Sequence, residues 1–274
     1  MRAMQPIRIA DLHAPELQPY LTLRRPMEHY RQGLFVAEGR LVVERLLRTP
    51  GYRVRSVLTM PQWLERLAEL LDGRSAIPVY VAERKEIQEI VGFSYHAGLL
   101  ALAECPPEPS LDAALAACSG PLTWVAMDEL THAENVGALA RNAAALGAQA
   151  LLAGPTSASP FLRRAVRNSL GGVFALAVFH AKDLAATLRE LHARHGIGVI
   201  GADANRGTAL ERFRFPPRCC VVFGHEDNGL SSDVRAACQA CVHIRMEGGL
   251  DSLNVAAAGA ILLQEIRRQR TPGH

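Results

Sequence analysis

Three short segments in the second half of this 274-residue chain carry more polar chemistry than their surroundings need. The first, THAENVGALARNAAALGA, joins Asn135, a permissive Gly137 and Arg141 inside an alanine-rich helical pattern. Asn135 can cap that helix, and Arg141 lies about a turn and a half further on, a planar fork of donors suited to phosphate. The second, GHEDNGLSSDV, holds Gly224, Glu226 and Gly229 ahead of Ser231 or Ser232, either of which can cap the next helix. A turn needs its glycine and asparagine, but it has no evident use for Glu226. The third, MEGGLDSLNVAAAGAILLQE, loosens on Gly248 and Gly249 and then sets Ser252 and Asn254 at the start of a helix that turns apolar at once. A helix start offers free N–H groups to anionic or electron-rich ligands, and a cap needs one polar side chain where this segment supplies several. Taken singly, each loop also fits ordinary structure: an asparagine cap, a glycine turn, a capped helix.

The elements around these loops decide whether they meet. Residues 121–274 alternate short apolar runs (TWVAM, ALLA, ALAV, GVIGA, CVVFG, CVHIR) with helical patterns over about 135–146, around FLRRAVRN, over KDLAATLRELHAR, from Ser231, and over the final apolar stretch. Apolar strands without polar alternation, each followed by an amphipathic helix, predict a mostly parallel sheet covered on both faces. In such sheets ligands bind beyond the carboxyl ends of the strands. All three polar loops follow apolar runs, so the pattern brings them to one side of one sheet as a single candidate site.

The segment CPPEPS marks a linker over 105–120. Ahead of it, residues 21–104 read as a smaller α/β domain: an apolar run and a helix in GLFVAEGRLVVERLLR with Leu41, Val42, Leu46 and Leu47 on one face, then VRSVLTM, the helix PQWLERLAELL, IPVYVA and AGLLALAE. Residues 1–20, with Pro6, Pro15 and Pro19, read as an irregular arm. The formal charge is only +3, but residues 1–60 hold ten Arg against five acidic residues, so the positive end is the N-terminal one. Lys85 and Lys182 are the only lysines. Neither a signal peptide nor about 18 consecutive apolar residues is present, which predicts a cytoplasmic protein with no membrane association.

Two other patterns invite chemistry and are set aside. GIGVIG, with Gly196, Gly198 and Gly201, matches G-x-G-x-x-G, but its glycines precede and form a strand instead of opening a helix. The pair Cys238 and Cys241 falls late in a helix, and Cys219 and Cys220 open an apolar strand, so the six cysteines read as reduced and structural, with no metal.

Together the three loops resemble the signature motifs of the SpoU/TrmH class of SPOUT methyltransferases. A first motif N-x-G-a-x-x-R is matched by Asn135, Gly137 and Arg141. A second, G-x-E-x-x-G-l, is matched by Gly224, Glu226, Gly229 and Leu230. A third, I-x-M-x-G-x-x-x-S-L-N-V, is matched by Ile244, Met246, Gly248, Ser252, Leu253, Asn254 and Val255. Ala133, Arg245 and Ala256 depart from residues usual in the class. The resemblance implies transfer of a methyl group from S-adenosylmethionine to a ribose 2′-hydroxyl in rRNA or tRNA, a parallel sheet closed by a deep trefoil knot, and a homodimer through the C-terminal domain. It also implies that residues 21–104 are an RNA-binding domain of ribosomal-protein L30e type.

On that resemblance Arg141, Asn135, Glu226, Ser252 and Asn254 form the catalytic set. Arg141 would orient the ribose and stabilise developing negative charge, aided by Asn135 and Asn254; Glu226 would fix the loops or Arg141, and Ser252 would line the site. The cofactor would lie on Gly224, Gly229, Ile244, Met246 and Leu253. Asp251 receives no role beyond that of an acidic residue at a helix start. The alternatives are a non-catalytic RNA-binding protein on the same fold and, more distantly, a nicotinamide enzyme using GIGVIG.

Overall fold

The computed structural model describes residues 4–72, 76–248 and 252–271, so Gly249 and Asp251 lie outside the described residues. The chain forms two compact units: Met1–Pro107 with Phe161–Phe174, and Glu108–Pro160 with Ala175–His274.

In the first unit, β1 (Pro6–Arg8), β2 (Leu34–Glu38), β3 (Val54–Thr59), β4 (Val79–Val81) and β5 (Leu99–Glu104) form a mixed sheet in the order β1-β4-β3-β5-β2. The helices are α1 (Gln18–Leu21), α2 (Pro26–Arg31), α3 (Arg40–Arg48), α4 (Leu64–Leu70) and α5 (Arg84–Val91), the last with a reciprocal capping box between Glu83 and Glu86. Two expectations change here. Residues 4–20, the described part of the expected irregular arm over 1–20, are ordered into elements: β1 pairs with β4, and Leu17 and Tyr20 are buried in the core. Pro15 and Pro19 occupy the first turns of short helices, where a missing N–H costs nothing. On α3 the buried stripe is Val42, Val43, Leu46 and Leu47, and Leu41 faces solvent, since it falls at the edge of that 3.6-residue repeat.

The second half of the chain contributes α6 (Leu111–Ala116), β6 (Leu122–Met127), α7 (Ala133–Ala145), β7 (Ala150–Ala153), α8 (Arg163–Asn168), β8 (Ala177–His180), α9 (Leu184–His195), β9 (Gly198–Ala202), β10 (Thr208–Ala209), β11 (Arg218–Phe223), α10 (Ser232–Ala237), β12 (Ala240–His243) and α11 (Val255–Arg270). Seven of these strands form a sheet in the order β10-β12-β9-β11-β6-β7-β8, and every pairing in it is parallel. Because strand side chains alternate, Trp124, Ala126, Cys220 and Val222 pack on one face with Leu188 and Leu191 of α9 and Val234 of α10. On the other face Gly259 of α11 sits so close to Leu139 of α7 that an added Cβ would lie 2.4 Å from the leucine Cδ1.

The linker expected over 105–120 contains α6, capped by Ser110 and burying Ala114 and Leu115 in the second core. Conversely α8, sequentially inside the second half, belongs to the first unit. There Arg163 and Arg167 both donate to the buried carboxylate of Glu38, Arg167 at 3.0 Å, and Phe161 and Phe174 pack on Phe35 with ring centroids 5.3 and 5.7 Å apart. A buried carboxylate is tolerable only when paired in this way. No described helix is long and apolar enough to cross a membrane.

Candidate active site

The carboxyl ends of three neighbouring strands, β12, β9 and β11, open into one cavity of about 400 Å³. Its wall includes Gly224, Glu226, Gly229, Ile244, Met246, Ser252 and Leu253, so seven residues drawn from two of the sequence motifs meet in space. Small-molecule sites of this kind span about 300–1,000 Å³ and combine an apolar lining with a few placed polar groups. Here Val255, Ala258 and Leu262 extend the apolar side along α11.

Backbone geometry explains the glycines of the β11 loop. His225 and Gly229 exchange two N–H to carbonyl hydrogen bonds, each 2.9 Å, which folds residues 225–229 into a closed turn. Gly229 adopts φ +66°, and a Cβ on Gly224 would lie 2.3 Å from the carbonyl carbon of Gly229. No side chain fits at Gly224 without opening the turn. The turn is tied to β6 by Asp128, a buried residue whose Oδ2 accepts the Ser231 N–H at 2.7 Å. Ser231 takes the N-cap position of α10, but its side chain makes no capping bond.

A chain of side-chain amides joins the three loops. Asn254 is the N-cap of α11, its Oδ1 accepting the Ala256 N–H at 2.9 Å. That bond fixes the amide orientation, since the oxygen must face the helix. Nδ2 of Asn254 therefore points outward and donates to Oδ1 of Asn135 at 3.1 Å, and Nδ2 of Asn135 in turn donates to Oε1 of Glu226. Two amides and a carboxylate from three separate loops hold one another in a single orientation. Asn135 does not cap α7: the N-cap position belongs to His132, without a side-chain capping bond, and His132 Nδ1 lies 3.7 Å from the same Glu226 oxygen.

Arg141 is the expected residue that the structure does not bring to the cavity. Six residues beyond Asn135 it has advanced about 9 Å and turned about 240° around the helix, onto another face. Its side chain is exposed, does not line the cavity, and has no hydrogen bond or ion pair among the described residues. The three departures from the motifs leave the amide chain intact. Ala133 begins α7; Ala256 supplies the N–H for Asn254 and accepts from Asn142 Nδ2 at 2.7 Å; Arg245 makes an exposed pair with Glu211 at 3.8 Å.

The GIGVIG glycines do not open a helix: Gly196 ends α9 in the left-handed region, and Gly198 and Gly201 lie in β9. Cys219, Cys220, Cys238 and Cys241 are free thiols, with burial pushing Cys238 up to about 12. Among the described residues no group of three or more His, Cys, Asp or Glu side chains is arranged to hold a metal ion. Sequence reasoning missed several polar residues in this cavity wall, among them Asp203, Asn205 and Arg206 after β9, Asp227 on the β11 turn and Arg235 on α10. The available signal was an Asp followed within four residues by Gly immediately after an apolar strand, the pattern of a side-chain-closed turn.

Known proteins share both the sequence and the fold. The sequence profile of the SpoU rRNA Methylase family matches residues 123–264. The chain is 30% identical over 236 residues to the 23S rRNA (guanosine-2′-O-)-methyltransferase RlmB of Acinetobacter baylyi, covering 83% of this chain and 94% of that protein. An uncharacterized tRNA/rRNA methyltransferase of Mycobacterium tuberculosis is 32% identical, with 95% of this chain and 91% of that protein aligned. Among solved structures, the SpoU methyltransferase AviRb from Streptomyces viridochromogenes in complex with the cofactor AdoMet superposes with a TM-score of 0.80 at 26% identity, covering 96% of this chain and all of that one.

Proposed function

Because this chain belongs to the SpoU rRNA methylase family, we propose that the cavity at the ends of β12, β9 and β11 binds S-adenosylmethionine, and that the residues around it direct methyl transfer to a ribose 2′-hydroxyl of RNA. The activity follows from membership: the chain is an S-adenosylmethionine-dependent RNA 2′-O-methyltransferase. The observation that carries the assignment of the site is the amide chain from Asn254 through Asn135 to Glu226, which joins all three motif loops at the cavity mouth.

The cavity suits the cofactor. Ile244, Met246, Leu253 and Leu262 offer apolar surface for an adenine ring, and the closed turn at Gly224 and Gly229 offers backbone groups. When bound, S-adenosylmethionine supplies the electrophilic methyl group. A ribose hydroxyl is a poor nucleophile, so the protein must hold it in line with that methyl and offset the charge that develops on its oxygen. Asn135 and Asn254 fix the approach, with Glu226 anchoring their amides and Ser252 lining the wall. A guanidinium is a poor general base, so the role of Arg141 is to orient the ribose and its phosphate and to stabilise negative charge.

Since Arg141 lies outside the cavity of its own chain, the reading needs a second copy: in a homodimer built on the C-terminal domain, one protomer's Arg141 serves its partner's cavity. The same reading carries a deep trefoil knot, RNA binding by the L30e-type front domain and a cytoplasmic location, with no metal in the reaction. The test is transfer of labelled methyl from S-adenosylmethionine to RNA. Wild type is expected to label rRNA or tRNA and Arg141→Ala to lose most of that transfer; full activity in the variant refutes the role given to Arg141.

A further inference from the structure

The turn after β9 is built, and the signature motifs give it no task. Asp203 is nearly buried, with 9% of its side chain exposed; its Oδ1 accepts the N–H groups of Asn205 at 3.0 Å and Arg206 at 3.1 Å. Gly207 closes the turn at φ +90°, pressed so tightly on Cys241 that a Cβ would lie 2.0 Å from the carbonyl oxygen. With both ends pinned, the backbone of Arg206 is fixed at the cavity wall. The turn follows β9, two strands away from β6 and the loop that carries Asn135, so it lies about 10 Å across the sheet from the amide chain.

The two guanidiniums of this wall are not equally partnered. Arg235 is balanced by Asp203, whose Oδ2 lies 3.5 Å from its Nε, and its Nη2 donates to the Leu230 carbonyl at 3.0 Å. Arg206 lines the same cavity, and its side chain has no hydrogen bond or ion pair among the described residues. Glu226 and Asp227 line the cavity as well, on the β11 turn, but neither pairs with the Arg206 guanidinium among the described residues. An unpaired guanidinium on a cavity wall suits an anionic ligand group, and a carboxylate fits the planar fork of an arginine best.

The cofactor carries one anionic group, the α-carboxylate of its methionine portion. Gly224, Gly229, Ile244, Met246 and Leu253 offer it no counter-ion. We propose that Arg206 is a cofactor-binding residue that pairs with this carboxylate, on a turn that Asp203 and Gly207 hold in place. The inference rests on the reading of the cavity as the S-adenosylmethionine site.

Calorimetric titration without RNA tests it. S-adenosylhomocysteine keeps the amino-acid portion, and 5′-methylthioadenosine lacks it. Arg206→Ala is expected to weaken S-adenosylhomocysteine by about 10-fold or more while leaving methylthioadenosine within about 2-fold, and Arg206→Lys to fall between, with a point charge in place of a fork. Unchanged S-adenosylhomocysteine binding, with or without a loss of RNA affinity in a gel shift, overturns the proposal; so does equal weakening of both ligands, which would assign Arg206 to the adenosine or to the turn's own integrity. A wild-type protein that binds neither ligand contradicts the functional reading instead.

Discussion

Nδ2 of Asn254 donates to Oδ1 of Asn135 at 3.1 Å while Oδ1 of Asn254 caps α11 through the Ala256 N–H at 2.9 Å, so one side chain both starts a helix and orients its neighbour. The two jobs separate by substitution. Asn254→Ala removes both and is expected to cost about 1 kcal/mol of stability along with activity. Asn254→Asp keeps the cap but presents an acceptor to the Asn135 oxygen. Asn135 must then turn its own oxygen toward Glu226, which breaks the chain. Denaturant unfolding should find the Asp variant near wild type, while methyl transfer falls by about 10²-fold. Equal losses of stability and activity in both variants would reduce Asn254 to a cap.

Arg141 gives a second prediction, about assembly. Arg141→Ala is expected to lower the transfer rate by about 10²–10³-fold while leaving S-adenosylhomocysteine affinity unchanged, because the role given to the arginine is toward the ribose and its phosphate and not toward the cofactor. When Arg141→Ala and Asn254→Ala chains are co-expressed with different tags, a mixed dimer contains one site with both residues intact. Purified mixed dimers should recover about half of wild-type activity if arginine crosses between protomers. If each chain uses its own Arg141, they stay as inactive as the parents.

At the far end of α11, Arg270 reaches the start of the central strands, donating to the Leu122 carbonyl at 2.8 Å and to Thr123 Oγ1, with Cys219 Sγ at 3.3 Å. Its charge-assisted bonds pin the helix that carries Asn254 at its other end. Arg270→Ala should lower stability to denaturant by about 1.5–3 kcal/mol, and Arg270→Lys should recover only part, since a single ammonium cannot reach carbonyl and hydroxyl together. An Ala variant as stable as wild type would show that the C-terminal turn is held by packing alone.

Burial sets an alkaline limit on stability. It raises the thiol of Cys105 to about 11 and that of Cys238 to about 12, above an ordinary 9.0. A thiol raised in the folded state binds its proton more tightly there than in the unfolded chain, so its contribution is complete below about pH 9 and is lost as pH rises toward 11–12. Stability should therefore decline above pH 9, with Cys238→Ala flattening part of the decline. Both thiols should resist iodoacetamide at pH 8 in the folded protein and react after unfolding.

The sheet and the three loops were legible because apolar strands, glycine turns and polar helix starts are local patterns. What escaped the sequence depends on distant partners. The place of α8 in the first unit rests on Glu38 and Phe35, more than 120 residues away, and a six-residue helix carries too little periodicity to reveal them. Pro15 and Pro19 look like breakers in sequence yet open helical turns, a difference visible only once Leu17 and Tyr20 are seen buried. Asn135 reads as a cap because caps are common, but its amide is drawn to Glu226, 91 residues on. The face of Arg141 follows from where helix α7 begins, two residues before Asn135.

The central claim is that the reacting atom is a ribose 2′-oxygen at the Asn135, Glu226 and Asn254 site. It is tested most directly by digesting RNA labelled by the enzyme and S-adenosylmethionine to nucleosides and separating them. The account predicts label in a 2′-O-methylated nucleoside, resistant to alkali at its 3′ linkage, and its loss with Arg141→Ala or Asn254→Asp. Label in a base-methylated nucleoside, or undiminished 2′-O-methylation by both variants, would contradict it.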